Sequence, residues 1–281
     1  MDSAQNPRLT FLGCGSMNEA ILGGILAGGL APEQVTATVR RAERAAELRS
    51  AHGITVLAGS EDPAANAKAV AGADLVIVGV KPVGVADLLR EISTALPATA
   101  VVLSVAAAVP LVLMEELLPA GQPVIRAMPN TPSRLGRGVV SISAGSSAGP
   151  EAMELARQVL SATGTVVEVP EDQVDAVSAV SGSGPAYAFY LAEAMARAGV
   201  ELGLDPDLSA LLARETVAGA GYMLAEPDAD APALRRGVTS PNGTTEAAIR
   251  TFDEQDLPGI IEAGARAAAA RAEEITAQLT A

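Results

Sequence analysis

Short apolar runs punctuate the first 170 residues, separated by segments whose apolar positions recur with helical spacing. Residues 8–12, 34–39, 54–57, 74–78, 101–105 and 124–128 are rich in aliphatic side chains and bounded by turn formers, which predicts strands. The run Leu75-Val76-Ile77-Val78 has no polar alternation, the pattern of a strand buried on both faces of a parallel sheet. Helices are predicted over residues 18–26 and 42–49. Residues 138–143 and 165–169 read as closing strands, and Pro170 ends this half.

From Glu171 the strand pattern stops. Residues 175–180 and 186–197 read as helices interrupted by a loop, Ser181-Gly182-Ser183-Gly184-Pro185. Asp205 before Pro206 predicts a capped helix reaching Leu224. Residues 226–232 read as a polar linker. A second small-residue loop, Val238 to Glu246, enters another helix, and residues 259–279 predict a long Ala/Glu/Arg helix. The expected organisation is an α/β domain over 1–170 followed by an all-α domain over 171–281. Several Ala- and Leu-rich helices in about 110 residues leave a wide apolar face, which predicts burial against a partner subunit.

Composition narrows the function. Of 281 residues, 49% are hydrophobic but only 2% aromatic, so the core must be built of Ala, Val, Leu and Ile. The 33 acids against 19 bases give a net charge of −14, which disfavours nucleic acid as a partner. Residues 92–114 carry no charge, but Pro97 and Pro110 interrupt them, and a buried strand between turns is expected rather than a membrane span. Asp2 and the lack of a basic, apolar leader argue against a signal peptide, and the single Cys14 allows no intrachain disulfide. A cytoplasmic protein is expected. One histidine (His52) and two lysines (Lys68, Lys81) cannot form a Cys/His metal cluster or a Ser-His relay, so no metal is expected. His52 precedes Gly53 and reads as a helix end.

Candidate chemistry sits at two kinds of loop. Gly13-Cys14-Gly15-Ser16-Met17 joins the first strand to the first helix, as in a dinucleotide-binding βα turn. Gly13 permits the turn, Gly15 admits phosphate to the backbone, and the helix N-terminus favours anions. Asn18 occupies the place of the third glycine, a departure from the pattern. Arg40 and Arg41 follow the second strand where an acid would bind an NAD ribose, which favours the 2′-phosphate of NADPH, with NADH as the alternative. Gly79-Val80-Lys81-Pro82 lies at the carboxyl end of a strand, where ligands bind in such folds. Loops of the Ser181–Pro185 kind expose N–H groups at a helix start.

With both small-residue loops beside a dinucleotide fold, the chain resembles the pyrroline-5-carboxylate reductase family. The segments that carry the resemblance are Ser181-Gly-Ser-Gly-Pro-Ala-Tyr187 and Thr239-Ser-Pro-Asn-Gly-Thr-Thr245. Val80-Lys-Pro82, Arg126-Ala-Met-Pro-Asn-Thr-Pro132 and Asp175-Ala-Val177 add to it, and it spans residues 9–278. The resemblance implies NAD(P)H-dependent reduction of L-1-pyrroline-5-carboxylate to L-proline, the last step of proline synthesis. It implies a Rossmann domain, a helical dimerisation domain, and assembly as a dimer or a ring of ten.

By the same resemblance, residues Gly13 to Met17 would cradle the pyrophosphate, and Arg40 and Arg41 the adenosine phosphate. Asn66, Val80, Lys81 and Pro82 would line the cofactor toward the nicotinamide. Ser240, Gly243, Thr244 and Thr245 would hold the substrate carboxylate, with Thr245 also reaching the ring nitrogen. Ser181, Gly182, Ser183 and Gly184 would close the pocket. The sequence departs from the family at Asn242 and Ala108, where glycine is usual. Two rivals remain. A hydroxyacid dehydrogenase of similar layout needs a lysine in the helical half, and none is present. A non-catalytic NADP-binding scaffold would need no second pair of loops.

Overall fold

The structure, a computed structural model, describes residues 7–280. Strands and helices alternate through the first part: β1 (Leu9–Leu12), α1 (Ser16–Ala27), β2 (Val35–Val39), α2 (Ala42–His52), β3 (Thr55–Ala58), α3 (Ala65–Val70) and β4 (Leu75–Val78). They continue with α4 (Val85–Ile92), β5 (Val101–Ser104), α5 (Leu111–Leu117), β6 (Val124–Pro129), β7 (Gly138–Ala144), α6 (Pro150–Ser161) and β8 (Gly164–Glu168). Helices follow: α7 (Val174–Val177), α8 (Gly184–Glu201), α9 (Pro206–Leu224), α10 (Ala231–Gly237), α11 (Thr244–Glu254) and α12 (Leu257–Thr280). The chain divides into two compact units: one runs to Gly182 and resumes at Ala268, the other is Ser183–Ala267.

The first unit holds one sheet ordered β3-β2-β1-β4-β5-β6-β7-β8. Every neighbouring pair is parallel except β6 and β7. Side chains alternate across it, as the period of a strand requires. Leu9, Phe11, Leu75, Ile77, Leu103 and Ile125 pack on one face against α1, α2 and α6. Leu12, Val76, Val78, Val102 and Val124 pack on the other against α3, α4 and α5, and Leu279 of α12 joins them. Both faces are covered, which explains the unbroken apolar run of β4. The strand order reverses between β1 and β4, so a crevice opens at their carboxyl ends.

The second unit is helical. Asp205 caps α9 as expected, accepting from the N–H groups of Asp207 and Leu208. Helices α8 and α9 cross closely, because a Cβ on Gly199 would lie 2.6 Å from Ser209 Oγ. Among the described residues of this unit only Ser209 and Ala213 are buried, while Phe189, Tyr190, Leu212, Tyr222 and Ile261 are at least half exposed or nearly so. So much apolar surface belongs in an interface. No helix among the described residues is long and apolar enough to cross a membrane. The uncharged stretch 92–114 divides into the end of α4, strand β5 and the start of α5.

Two local expectations need correction. The stretch 226–232 is not all linker: Asp230 accepts from Ala233 N–H and starts α10 at Ala231. The Ser181–Pro185 segment is not an open loop. Residues Ser178–Gly182 form a π-helical turn continuous with α7, and α8 starts at Gly184. Small side chains allow the wider turn, in which each N–H reaches one residue further back.

Candidate functional site

The crevice at the β1/β4 reversal is built by the glycine turn. Gly13 must be glycine for two reasons: its φ is +71°, and a Cβ there would lie 2.5 Å from Val80 Cγ1. Gly15, the N-cap of α1, differs, because a Cβ on it would meet no atom within 4 Å. That open side leaves room for a ligand against the backbone. The turn is tied to β2: Gly13 N–H donates to Thr38 Oγ1 at 3.3 Å, and Cys14 N–H to the Thr38 carbonyl at 2.9 Å.

Asn18 explains its own departure from glycine. It is 1% exposed, and its Nδ2 reaches the carbonyls of Leu12 (3.2 Å), Gly13 (3.4 Å) and Ile77 (3.4 Å). One side chain thus joins the ends of β1 and β4. It lies over Gly79, where a Cβ would approach Asn18 Cγ, Nδ2 and Oδ1 to 2.5 Å or less. Gly79 is therefore demanded by Asn18, and the pair couples the glycine turn to the Val80-Lys81 loop.

A cavity of about 870 Å³ lies here. It brings together Gly13, Gly15, Arg40, Arg41, Asn66, Val80 and Lys81 of the residues expected from sequence. Ser16 and Pro82 adjoin lining residues in sequence without lining the cavity, and Met17 lies one position further on. Ser16 opens α1, Met17 packs against the core, and Pro82 starts a single 3-10 turn. Asn66 donates to Glu91 Oε2 at 3.1 Å.

Arg44 was not foreseen. It lines the cavity beside Arg40 and Arg41, held by Glu19 Oε2 at 2.5 Å and Glu47 Oε2 at 2.9 Å. Glu19 also meets His52 Nε2 at 3.3 Å, and α2 ends at His52 with Gly53 left-handed, as expected. Burial works to raise the Glu19 carboxyl, but hydrogen bonds from Arg44 and His52 outweigh it and hold the group below its ordinary value. The signal for Arg44 in the sequence was an arginine in the first turn of the helix predicted over residues 42–49.

Arg40 and Arg41 make this wall of an acidic protein suited to phosphate, while Arg44 beside them is already paired with Glu19 and Glu47. The donor set fits an NADP-type dinucleotide: glycine-turn and α1 N–H groups for the pyrophosphate, arginines for the 2′-phosphate. Cys14 also lines the cavity but is chemically quiet. Burial, with the Glu19 charge adding, pushes its thiol up to about 12, so it stays protonated at neutral pH.

The remaining predicted residues fall in three places. Ser181 and Gly182 belong to the π turn in the first unit, where Ser181 Oγ donates to the Val177 carbonyl at 2.9 Å. That bond leaves the hydroxyl only its lone pairs for a ligand. Ser183 and Gly184 begin the helical unit at the start of α8. Ser240, Gly243, Thr244 and Thr245 gather at the α11 N-terminus, where Gly243 N–H donates to the Ser240 carbonyl at 2.9 Å. Asn242 is left-handed (φ 58°), and its N–H donates to Glu246 Oε2 at 2.7 Å, so the turn forms without the usual glycine. Ala108 is left-handed too (φ 60°), with no such compensation.

A doubly wound sheet with a phosphate-suited crevice, followed by a helical unit, defines a dinucleotide-dependent oxidoreductase of two-domain type. Residues 171–275 match the family model for pyrroline-5-carboxylate reductase dimerisation, and residues 8–108 the model described as NADP oxidoreductase, coenzyme F420-dependent. The chain is 38% identical to the pyrroline-5-carboxylate reductase of Pseudomonas aeruginosa, over 97% of this chain and 98% of that one. The solved pyrroline-5-carboxylate reductase of Coxiella burnetii superposes with a TM-score of 0.90 at 33% identity, covering 97% and 99% of the two chains. The Plasmodium falciparum pyrroline carboxylate reductase, solved with NADP bound, shares the fold at a TM-score of 0.82 and 21% identity, covering 98% and 100%. The chain belongs to the pyrroline-5-carboxylate reductase family.

Proposed function

We infer that this protein reduces L-1-pyrroline-5-carboxylate to L-proline with NADPH, as a self-associating enzyme of the cytoplasm. The observation that carries the reading is the β1/β4 cavity edged by Arg40, Arg41 and Arg44, in a chain whose family membership spans both halves. NADPH held there supplies a hydride. Gly13, Gly15 and the first turn of α1 bind its pyrophosphate, and Arg40 and Arg41 its 2′-phosphate. Asn66, Val80 and Lys81 line the same cavity, with Ser16, Met17 and Pro82 supporting its loops.

The chemistry asks little of acids and bases. A cyclic imine takes a proton on nitrogen from solvent and a hydride on carbon, so the chain must chiefly hold and orient the ring. The N-terminus of α11 suits a carboxylate: Ser240, Thr244 and Thr245 offer hydroxyls, and Thr244 and Thr245 N–H groups, at the positive end of an eleven-residue helix, while Gly243, its N–H held by the Ser240 carbonyl, shapes the turn that presents them. Thr245 is assigned the hydrogen bond to the ring nitrogen as well. The turn Ser181-Gly182-Ser183-Gly184 shapes the substrate's surroundings. Assembly runs through the apolar helical unit, and a ring of ten would have about ten times the chain mass of 28.2 kDa in solution.

Thr245→Ala tests the substrate assignment. Losing a hydrogen bond to a charged group costs ~1.5–3 kcal/mol, or roughly 10- to 150-fold in kcat/KM. NADPH affinity should stay unchanged. Wild-type kinetics in this variant would remove Thr245 from the site.

A further inference from the structure

Strand β6 reaches the π turn with one side-chain face. Arg126 and Met128 share that face, and Asn130 follows at the same parity one position beyond the strand. Arg126, 5% exposed, pairs with Glu171 Oε1 (3.1 Å) and Asp175 Oδ1 (3.5 Å), its Nε buried without a partner. Glu171 Oε1 also accepts from Leu111 N–H at 2.7 Å, which fixes the carboxylate. Met128 Cε lies 3.1 Å from where a Gly182 Cβ would stand. Asn130, 8% exposed, donates from Nδ2 to the Ser181 carbonyl at 2.9 Å, while its Oδ1 accepts from Val139 N–H at 2.9 Å. All these residues belong to the first unit.

We propose that Arg126 and Asn130 are positioning residues that hold the Ser178–Gly182 turn in its π-helical register, and so set the orientation of Ser181 for the reaction. The arrangement goes beyond core packing. A buried arginine beside two carboxylates and a buried asparagine that ties the π-turn carbonyl of Ser181 to the Val139 N–H are costly to place, and apolar side chains would fill the same volume. What they add is a fixed backbone path. A π turn is a rare interruption of the regular α-helical ladder, so an outside anchor favours it over the ordinary register. The clamp rests on the reading that the Ser181-Gly182 turn takes part in substrate binding.

Asn130→Asp in the full-length protein is the direct test. The variant can still accept from Val139 N–H but sets a carboxylate oxygen against the Ser181 carbonyl. Expected results are a tenfold or greater fall in kcat/KM for pyrroline-5-carboxylate, an NADPH Kd within twofold of wild type, and faster amide hydrogen exchange confined to residues 178–182. Arg126→Lys keeps one cation but cannot bridge both carboxylates, so the same split should appear at smaller size; it serves if Asn130→Asp fails to fold. Unchanged kcat/KM, unchanged exchange over 178–182, or an NADPH Kd that worsens in step with KM would each overturn the clamp. If the wild-type chain does not reduce the imine, the functional reading falls, and equal exchange in the two proteins would still overturn the clamp by itself.

Discussion

The contact between Asn18 and Gly79 makes a coupling measurable. In Gly79→Ala the new Cβ falls within 2.5 Å of three Asn18 atoms, so the amide must swing away. Swinging it breaks the bonds to the Leu12, Gly13 and Ile77 carbonyls. The first, at 3.2 Å, is the best of the three, and the other two, at 3.4 Å, are weak. Their loss, with the unsatisfied buried amide, costs ~1–2 kcal/mol, and overpacking adds ~1–2. Gly79→Ala should therefore cost about 3 kcal/mol in the native background. In an Asn18→Ala background the new methyl enters the vacated space, and the same change should cost under ~1 kcal/mol. The predicted coupling is about 2 kcal/mol, well above the ~0.5 kcal/mol scatter of independent sites. Urea unfolding of the four proteins at one fixed concentration measures it, the fixed concentration being required because self-association contributes to stability. Equal costs in the two backgrounds would refute the reasoning.

Two further outcomes follow from named residues. Ala108→Gly should stabilise the protein by about 1 kcal/mol, because alanine now sits left-handed where glycine pays no steric cost; a destabilised variant in the same urea assay would contradict this. Arg40→Ala combined with Arg41→Ala should weaken NADPH more than NADH in fluorescence titrations, since only NADPH carries the 2′-phosphate; equal losses would contradict the assignment.

Much of the sheet was legible because its strands are short aliphatic runs between turn formers, and burial on both faces leaves a strong local mark. The β1 turn, α1 and the position of Arg40-Arg41 follow from that order alone. The reversal of direction at β7 left no local mark, because a strand's sequence does not say which way its neighbour runs. Asn18 read as a flaw in a glycine pattern, since its meaning depends on the Ile77 carbonyl, 59 residues away. Arg44 was hidden for a related reason: its Glu47 partner is local on α2, but only the fold brings Glu19, 25 residues away, to it on the wall of the cavity. The π turn hid behind glycines and serines that look like an open loop. Its anchor is Asn130, whose partner lies 51 residues further on. The departure at Asn242 has a local cause, because asparagine tolerates the left-handed backbone by its own chemistry.

The central claim is that the two halves of this chain together make an imine reductase. Oxidation of NADPH followed at 340 nm with purified protein tests it, using pyrroline-5-carboxylate in one arm and 3-hydroxy acids with NADP in the reverse direction in the other. Turnover of the imine to proline, and none of the hydroxy acids, is expected. An imine left unreduced, or a hydroxy acid oxidised in its place, would contradict it.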